Sequence, residues 1–139
     1  MTSYDVEYVK QKLAKYEQNY EVVVFGSHVE GGAGPHSDVD LAVISRQQNV
    51  NKNISLQKEL LGIFPPLEYD IRVFELLPIQ IKISIIRQYD VIFGDPLEIS
   101  EYFYRFRKIW EDSKDRYLSN QYSSFKEQLE IIQRLNNKQ

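Results

Sequence analysis

The sequence has no cysteine among its 139 residues. Disulfide bonds, zinc sites built on thiolates and thiol nucleophiles are therefore excluded. No apolar run approaches the ~20 residues that a membrane-spanning helix requires. The segment MTSYDVEYVKQKL at the amino terminus is charged and lacks a signal-peptide core, so we expect a cytoplasmic protein with no membrane partner.

Positive charge is also scarce, with 17 Lys and Arg against 20 Asp and Glu and a net charge of −3. A protein that coats nucleic acid needs a basic surface, so this balance argues against a nucleic-acid partner. The motif G-x-x-x-x-G-K-[ST] is absent as well, which disfavours a P-loop ATPase.

The remaining composition indicates one packed domain, because 42% of the residues are hydrophobic and 27% are charged. We treat residues 1–139 as a single domain in which 97–135 is a C-terminal helical segment. Residues 46–53, a polar stretch, are predicted to form a loop. Hydrophobic periodicity predicts helices over 5–18, 54–64 and 97–135 and strands over 21–25, 38–45, 67–75 and 90–95.

Residues 78–88 fit two patterns. Ile79, Ile81, Ile83 and Ile85 alternate as in a strand, yet Ile79, Ile83 and Ile86 also share one helical face. We favour the helix, because Pro78 suits a first helical turn. Strands separated by helices predict an α/β or α+β fold with helices packed on the sheet.

Two aspartates open the second predicted strand, DVDLAVIS. Asp38 and Asp40 project from the same side because side chains alternate along a strand. Apolar residues follow on both faces, so the strand is interior, and an ionised carboxylate there costs several kcal/mol unless it is compensated. No lysine or arginine lies between Tyr16 and Arg46. Oxygen ligands of this kind suit Mg²⁺, and we therefore predict a metal site.

A glycine-serine step, Gly26-Ser27, directly follows the first predicted strand. Glycine allows the backbone to approach a ligand closely. If Ser27 opens a short helix, its hydroxyl and the next backbone N–H groups bind an anion. An anion site beside a metal site suggests a metal-bound triphosphate. Ser37 is included in this nucleotide site, with an ordinary turn or strand cap as the alternative.

The third predicted strand supplies a further carboxylate, Asp70, on the same face as Arg72. Together with Asp38 and Asp40 it would complete a cluster of three carboxylates. Such a cluster holds two metal ions ~3.5–4 Å apart in enzymes that carry out in-line displacement. The alternative for Asp70 is a salt bridge to Arg72, and Arg72 could instead reach a triphosphate. Glu75 is interpreted as a solvated strand end.

These residues carry a resemblance to a known superfamily. The signature G-S-x-x-x-G-x-x-x-x-x-S-D-x-D-L of polymerase-β-like nucleotidyltransferases is kept at every spacing. The chain resembles in particular the minimal nucleotidyltransferases, which are often the antitoxin partners of HEPN-domain ribonuclease toxins. The resemblance implies the nucleotidyltransferase fold, a small mixed β-sheet flanked by helices and followed by a long C-terminal helix. The residues that match are Gly26, Ser27, Gly31, Ser37, Asp38, Asp40 and Leu41.

The resemblance also implies roles. Gly26 and Ser27 would hold the nucleotide phosphates, Asp38 and Asp40 would bind Mg²⁺, and Asp70 would help to activate the acceptor hydroxyl. Two Mg²⁺ ions and ATP are the implied cofactor and substrate. The chain departs from many minimal members in having His28-Val29-Glu30, rather than an arginine-rich triplet, after the glycine-serine step.

Three functions stay open at this point. The first is Mg²⁺-dependent transfer of AMP from ATP to a hydroxyl, by resemblance a tyrosine of a partner HEPN toxin. The second is an antitoxin that neutralises its toxin by binding alone. The third is a nucleotidyltransferase that acts on a small molecule such as an aminoglycoside.

The C-terminal helical segment carries two apolar stripes. The first, Ile99, Phe103, Phe106 and Trp110, is interpreted as core. The second runs over 117–135 at spacings of four and three and either packs in the core or forms a homo- or hetero-oligomer interface. Its members are Leu118, Tyr122, Phe125, Leu129 and Ile132.

Overall fold

The computed structural model describes residues 4–26 and 38–137, without the side chains of 117–125, 128, 131 and 135–137. Within these residues the chain forms four helices and four strands in mixed order. Short 3₁₀ turns at Ala14–Tyr16 and Phe74–Leu76 follow α1 and β3. The elements in chain order are α1 Val6–Lys12, β1 Glu21–Phe25, β2 Val39–Ile44, α2 Val50–Leu60, β3 Tyr69–Val73, α3 Ile79–Arg87, β4 Tyr89–Phe93 and α4 Pro96–Asn137.

The strands form one mixed sheet in the order β3-β2-β1-β4. β1 pairs antiparallel with both β2 and β4, whereas β2 and β3 are parallel and connected through α2. The expected α+β architecture, with a small mixed sheet, flanking helices and a long C-terminal helix, is therefore confirmed.

Apolar clusters cover both faces of the sheet. On one face, alternate strand residues such as Val24, Leu41 and Ile71 pack against α1 and α2. On the other face, Val23 and Ile44 pack against α3 and the beginning of α4. This second face matters for function, because its strand positions also include Phe25, Asp40 and Asp70. The residues that α3, α4 and the turn after β3 bring to it are Phe74, Ile85, Ile99, Tyr102 and Phe103.

The boundaries of the helices differ from the sequence-based predictions where side chains cap them. α2 begins at Val50 rather than at residue 54, because the side chain of Asn49 accepts a hydrogen bond from the backbone N–H of Lys52 at 3.2 Å. The predicted loop over 46–53 is therefore wrong for its second half. α1 ends at Lys12 and gives way to a 3₁₀ turn, so the predicted helix over 5–18 is too long.

The strands agree more closely with prediction. β1 matches 21–25, and β2 lies within one residue of 38–45 at each end. The strand predicted over 67–75 is shorter, since its end turns into the 3₁₀ segment Phe74–Leu76. The strand predicted over 90–95 ends at Phe93, before Gly94 with its φ of +123°. The helix favoured for 78–88 is confirmed as α3.

β3 is an edge strand, and a side chain covers part of its outer edge. Gln57 on α2 donates from Nε2 to the carbonyl of Ile71 at 2.9 Å and accepts from the N–H of Val73 at 2.7 Å. One amide thus satisfies a donor and an acceptor that a further strand would otherwise pair with.

The chain divides into two compact units, Met1–Phe106 and Arg107–Gln139. The first contains the whole sheet, and the second is helical throughout its described part. The first apolar stripe of α4 is core as predicted for Ile99 and Phe103, which are buried in the first unit. In the second unit Leu129 and Ile132 are exposed, and Leu118, Tyr122 and Phe125 lie outside the described side chains. Among the described residues no helix has the length and apolar character needed to cross a membrane.

Candidate active site

The parallel pairing of β2 and β3 brings two of the predicted carboxylates side by side. Asp40 and Asp70 are partners in the register of the two strands. Neighbouring strands lie ~4.8 Å apart, and residues that pair directly present their side chains on the same face. Both side chains are half-buried. The sheet therefore places two acidic positions, distant in sequence, next to each other.

Asp38 lies immediately before β2, two residues ahead of Asp40, and is exposed. The strand has acidic residues at its beginning and apolar residues afterwards, and Leu41 to Ile44 are all buried. All three predicted metal ligands consequently belong to the end of the sheet at which β2 and β3 begin.

A glycine at the end of β1 lies against one of these acidic residues, Asp40. Gly26 has a φ of +81°, a conformation that other residues adopt only with strain. A Cβ atom built on Gly26 would lie 3.2 Å from the Cγ of Asp40 and would overlap its Oδ2. Gly26 is therefore required for two independent reasons, its backbone conformation and the closeness of the Asp40 carboxylate.

Asp70 accepts a hydrogen bond from the guanidinium of Arg72, with 2.9 Å between Oδ1 and Nε. The side chains are 44% and 56% exposed, so this is a solvent-accessible ion pair. Such pairs contribute only ~0–1 kcal/mol to stability and rearrange readily. The salt bridge considered in the sequence analysis is present, and it coexists with the register that sets Asp70 beside Asp40.

The donor set fits a divalent metal ion. Hard cations prefer carboxylate oxygens, and the absence of a Cβ at Gly26 lets the backbone approach the Asp40 carboxylate closely. Among residues 4–26 and 38–137 no three acidic or histidine side chains converge closely enough to bind one ion. The Asp70 carboxylate contacts Arg72 in this arrangement. The metal-binding role of Asp38, Asp40 and Asp70 stays a prediction.

Two of the residues predicted to bind nucleotide, Ser27 and Ser37, lie outside the described residues. Gly26, the third, is described, and it lies against the Asp40 carboxylate. A residue of the predicted phosphate site therefore contacts a residue of the predicted metal site.

At the opposite end of the sheet, Glu75 corrects one sequence interpretation. It is not a solvated strand end but a half-buried acceptor of four hydrogen bonds. The sequence carries no signal for these bonds, because it is the parallel pairing of β2 with β3 that brings Ser45 near Glu75. The donors are the N–H of Ser45 at 3.0 Å, its hydroxyl at 3.1 Å, the N–H of Arg46 at 2.9 Å and the hydroxyl of Tyr102 at 2.7 Å. The Ser45 hydroxyl shares its one proton with Oδ1 of Asn53 at 2.6 Å.

Arg46 completes this network. Its Nε and Nη2 donate to the two carboxylate oxygens of Glu21 at 2.6 and 3.0 Å, and its guanidinium lies 4.6 Å from the ring centre of Tyr102. Burial and the bond to Glu75 raise the pKa of Tyr102 far above its ordinary value. Arg46 itself has a φ of +58°, so its backbone is strained and the network must hold it.

A mixed sheet that brings Asp40 and Asp70 into register opposite a glycine turn defines the class of protein as a nucleotidyltransferase. The family model described as "Polymerase beta, Nucleotidyltransferase" matches residues 7–96. The chain belongs to this family. Its members generally act on a nucleoside triphosphate with a divalent metal ion.

One curated relative and several solved structures are similar to the chain. A protein of Methanocaldococcus jannaschii, named as a candidate protein adenylyltransferase, is 40% identical over 119 residues, which are 86% of this chain and 92% of the relative. A toxin–antitoxin structure with AMP-PNP has a TM-score of 0.62 at 15% identity, covering 81% of this chain and 93% of that one.

A second structure contains a tri-AMPylated HEPN toxin of Shewanella oneidensis with its MNT antitoxin. Its TM-score is 0.55 at 12% identity, over 80% of this chain and 88% of that one. At such low identity these two structures establish the fold, which is the one found in toxin–antitoxin complexes.

Proposed function

We propose that the protein transfers AMP from ATP to the hydroxyl group of a tyrosine on a partner HEPN toxin, and thereby acts as an antitoxin. The observation that carries the proposal is the pairing of Asp40 with Asp70 opposite Gly26. The 40% identity to a candidate protein adenylyltransferase supports a protein acceptor. The shared fold with antitoxins in complex with toxins supports the partner.

In the proposed reaction the acceptor oxygen attacks the α-phosphorus of ATP. A bond forms between that oxygen and phosphorus, the bond from the α-phosphorus to the bridging oxygen breaks, and pyrophosphate leaves. The hydroxyl proton passes to a carboxylate, for which Asp70 is the proposed base. Bound Mg²⁺ would neutralise phosphate charge and stabilise the attacking and leaving oxygens.

The residues of this chain have separable tasks in the proposal. Asp38 and Asp40 hold Mg²⁺, and Asp70 also contributes to its coordination. Gly26 keeps the backbone close to Asp40, so the phosphates bound after β1 lie beside the metal. Ser27 donates its hydroxyl to a phosphate oxygen, and Ser37 supports the same nucleotide site.

The experiment is incubation of the purified protein with a HEPN-domain toxin from the same organism, ATP and Mg²⁺, followed by intact-mass spectrometry. We expect the partner's mass to increase by one or more adenylyl groups, and peptide mapping to locate them on tyrosine. Asp40→Asn serves as the matched control, since it preserves side-chain volume but removes a metal-binding charge. An unmodified partner after complete complex formation would contradict the proposal.

Neutralisation by binding alone is the second candidate. The exposure of Leu129 and Ile132, at 44% and 53%, favours a docking role for the second helical unit. The same incubation separates the two functions when toxin ribonuclease activity is measured with and without ATP. Inhibition that does not depend on ATP and survives in Asp40→Asn would establish binding as the mechanism.

A further inference from the structure

A nucleoside triphosphate brings several negative charges, and the segment that would receive its phosphates contributes no cation. No lysine or arginine occurs between Lys15 and Arg46, a stretch that includes β1, the whole glycine-rich segment and β2. β4 contains none either. Across the four strands of the described sheet, Arg72 on β3 is the single basic residue.

Arg46 cannot serve instead, because it is committed elsewhere. It follows the C-terminal end of β2, whereas Asp40 lies near the beginning of that strand. Six residues of extended chain span ~20 Å. Its guanidinium is also held by both oxygens of Glu21 and by the carbonyl of Glu98 at 3.0 Å.

Arg72 is well situated for a phosphate. It lies two residues beyond Asp70 and on the same face of β3, in register with Ala42, whose small side chain does not compete for space above the sheet. In the described part of the chain its guanidinium bonds to Asp70 through Nε alone, and neither terminal amino group has a hydrogen-bond partner. Those two groups are available for the forked contact that guanidinium makes with phosphate.

We propose that Arg72 is a phosphate-binding residue with two alternative partners. Without nucleotide it holds Asp70, and when a nucleoside triphosphate binds it moves to the phosphates and releases Asp70. The inference rests on the proposed function and names the source of positive charge for that site. Exchange between the partners is feasible because both side chains are about half exposed and their ion pair is weak.

The proposal predicts opposite changes in two affinities. In Arg72→Gln, Mg²⁺ alone should bind several-fold more tightly, because a cation no longer competes for Asp70. AMP-PNP with Mg²⁺ should bind ~10- to 100-fold more weakly, because a charge-assisted contact to phosphate is lost. A purely structural salt bridge would alter the melting temperature without moving the two affinities in opposite directions.

The test is calorimetric titration with Mg²⁺ alone and then with Mg²⁺ and AMP-PNP. Lys58→Gln is the control, because it makes the same charge change at an exposed position of α2, on the other face of the sheet. It should leave both affinities within about twofold of wild type. Arg72→Lys, which keeps the charge but loses the fork, should fall between wild type and Arg72→Gln in nucleotide affinity.

Two failures are distinguishable. Wild-type protein that binds Mg²⁺ and AMP-PNP, with Arg72→Gln unchanged in both affinities or shifted in the same direction in both, would overturn the role of Arg72 alone. Wild-type protein that binds no AMP-PNP would overturn the proposed function and this inference with it.

Discussion

The two ends of the sheet each combine carboxylates with an arginine, yet they use them differently. At the end where β2 finishes, Glu75 accepts four hydrogen bonds. At the same end, the Nε and Nη2 groups of Arg46 donate to the two carboxylate oxygens of Glu21. At the end where β2 begins, Asp70 has one solvent-accessible bond to Arg72. A carboxylate saturated with protein donors stabilises the fold, whereas one with remaining lone pairs can accept a metal or a proton.

The comparison predicts that mutations at the beginning of β2 reduce activity, whereas mutations at the end of β2 reduce stability. Asp40→Asn should reduce AMP transfer by ~10²–10³-fold or more, since a charge-stabilising interaction at the reaction centre is lost. Its melting temperature should be unchanged or slightly higher without metal, because repulsion between neighbouring carboxylates is relieved. Asp38→Asn should have the same two effects, on AMP transfer and on the melting temperature. Thermal unfolding and a transfer assay on the same samples check this, and a large loss of stability would contradict it.

Glu75→Ala should show the reverse pattern. Three donors lose their acceptor, whereas the Ser45 hydroxyl keeps Asn53 Oδ1 at 2.6 Å, so we expect the free energy of unfolding to fall by ~2–4 kcal/mol. Transfer by the fraction that remains folded should stay near wild type. Urea denaturation provides the stability, and Tyr102→Phe, which removes one of the four bonds, should lose only ~0.5–1.5 kcal/mol. Equal losses in the two variants would refute the network.

Gly26→Ala sharpens the comparison at the candidate active site. The substitution forces an alanine into a positive φ, at ~1–2 kcal/mol, and adds overlap with the Asp40 carboxylate. A double-mutant cycle with Asp40→Ala separates the two costs, because only the overlap disappears when the carboxylate is removed. We expect Gly26→Ala to cost less in the Asp40→Ala background. Additive losses would show that the contact does not matter.

Tyr102 should make the stability of the folded protein depend on pH. Its pKa is raised in the folded state, mainly by burial and then by Glu75. Above about pH 10, the ordinary tyrosine value, the unfolded chain releases this proton while the folded chain keeps it, so stability falls as pH rises. The free energy of unfolding should decline less between pH 8 and pH 11 for Tyr102→Phe than for wild type. An identical decline would remove Tyr102 from the explanation.

Gln57 touches neither network, so its replacement should change stability alone. Gln57→Leu removes two hydrogen bonds from the outer edge of β3 and should cost ~1–2 kcal/mol. Nucleotide affinity should be unchanged. Chemical denaturation and light scattering report stability and association together, and a variant as stable as wild type would show that water replaces the amide fully.

The sequence predicts the elements best where one physical signal dominates. β1 and β2 were predicted closely because their continuous apolar runs allow few alternatives. The start of α2 was missed because a single side chain, Asn49, caps it within a polar stretch. The spacing in the sequence predicts Asp38 and Asp40 as metal ligands, but the closeness of Gly26 to Asp40 depends on strand pairing. Glu75 was misread because its four donors come from distant segments.

The parallel pairing of β2 with β3 has a consequence for the time course of folding. β1 and β2 are antiparallel neighbours in sequence, so Asp40 can reach Gly26 as soon as that pair closes. Asp70 arrives only after α2 has crossed over and β3 has docked, a step with a larger loop-closure entropy. Because β2 is the one described strand that pairs with β3, the amides of β3 should exchange with deuterium before those of β1 and β2. Brief undocking of β3 would separate Asp70 from Asp40 while the rest of the sheet stays intact.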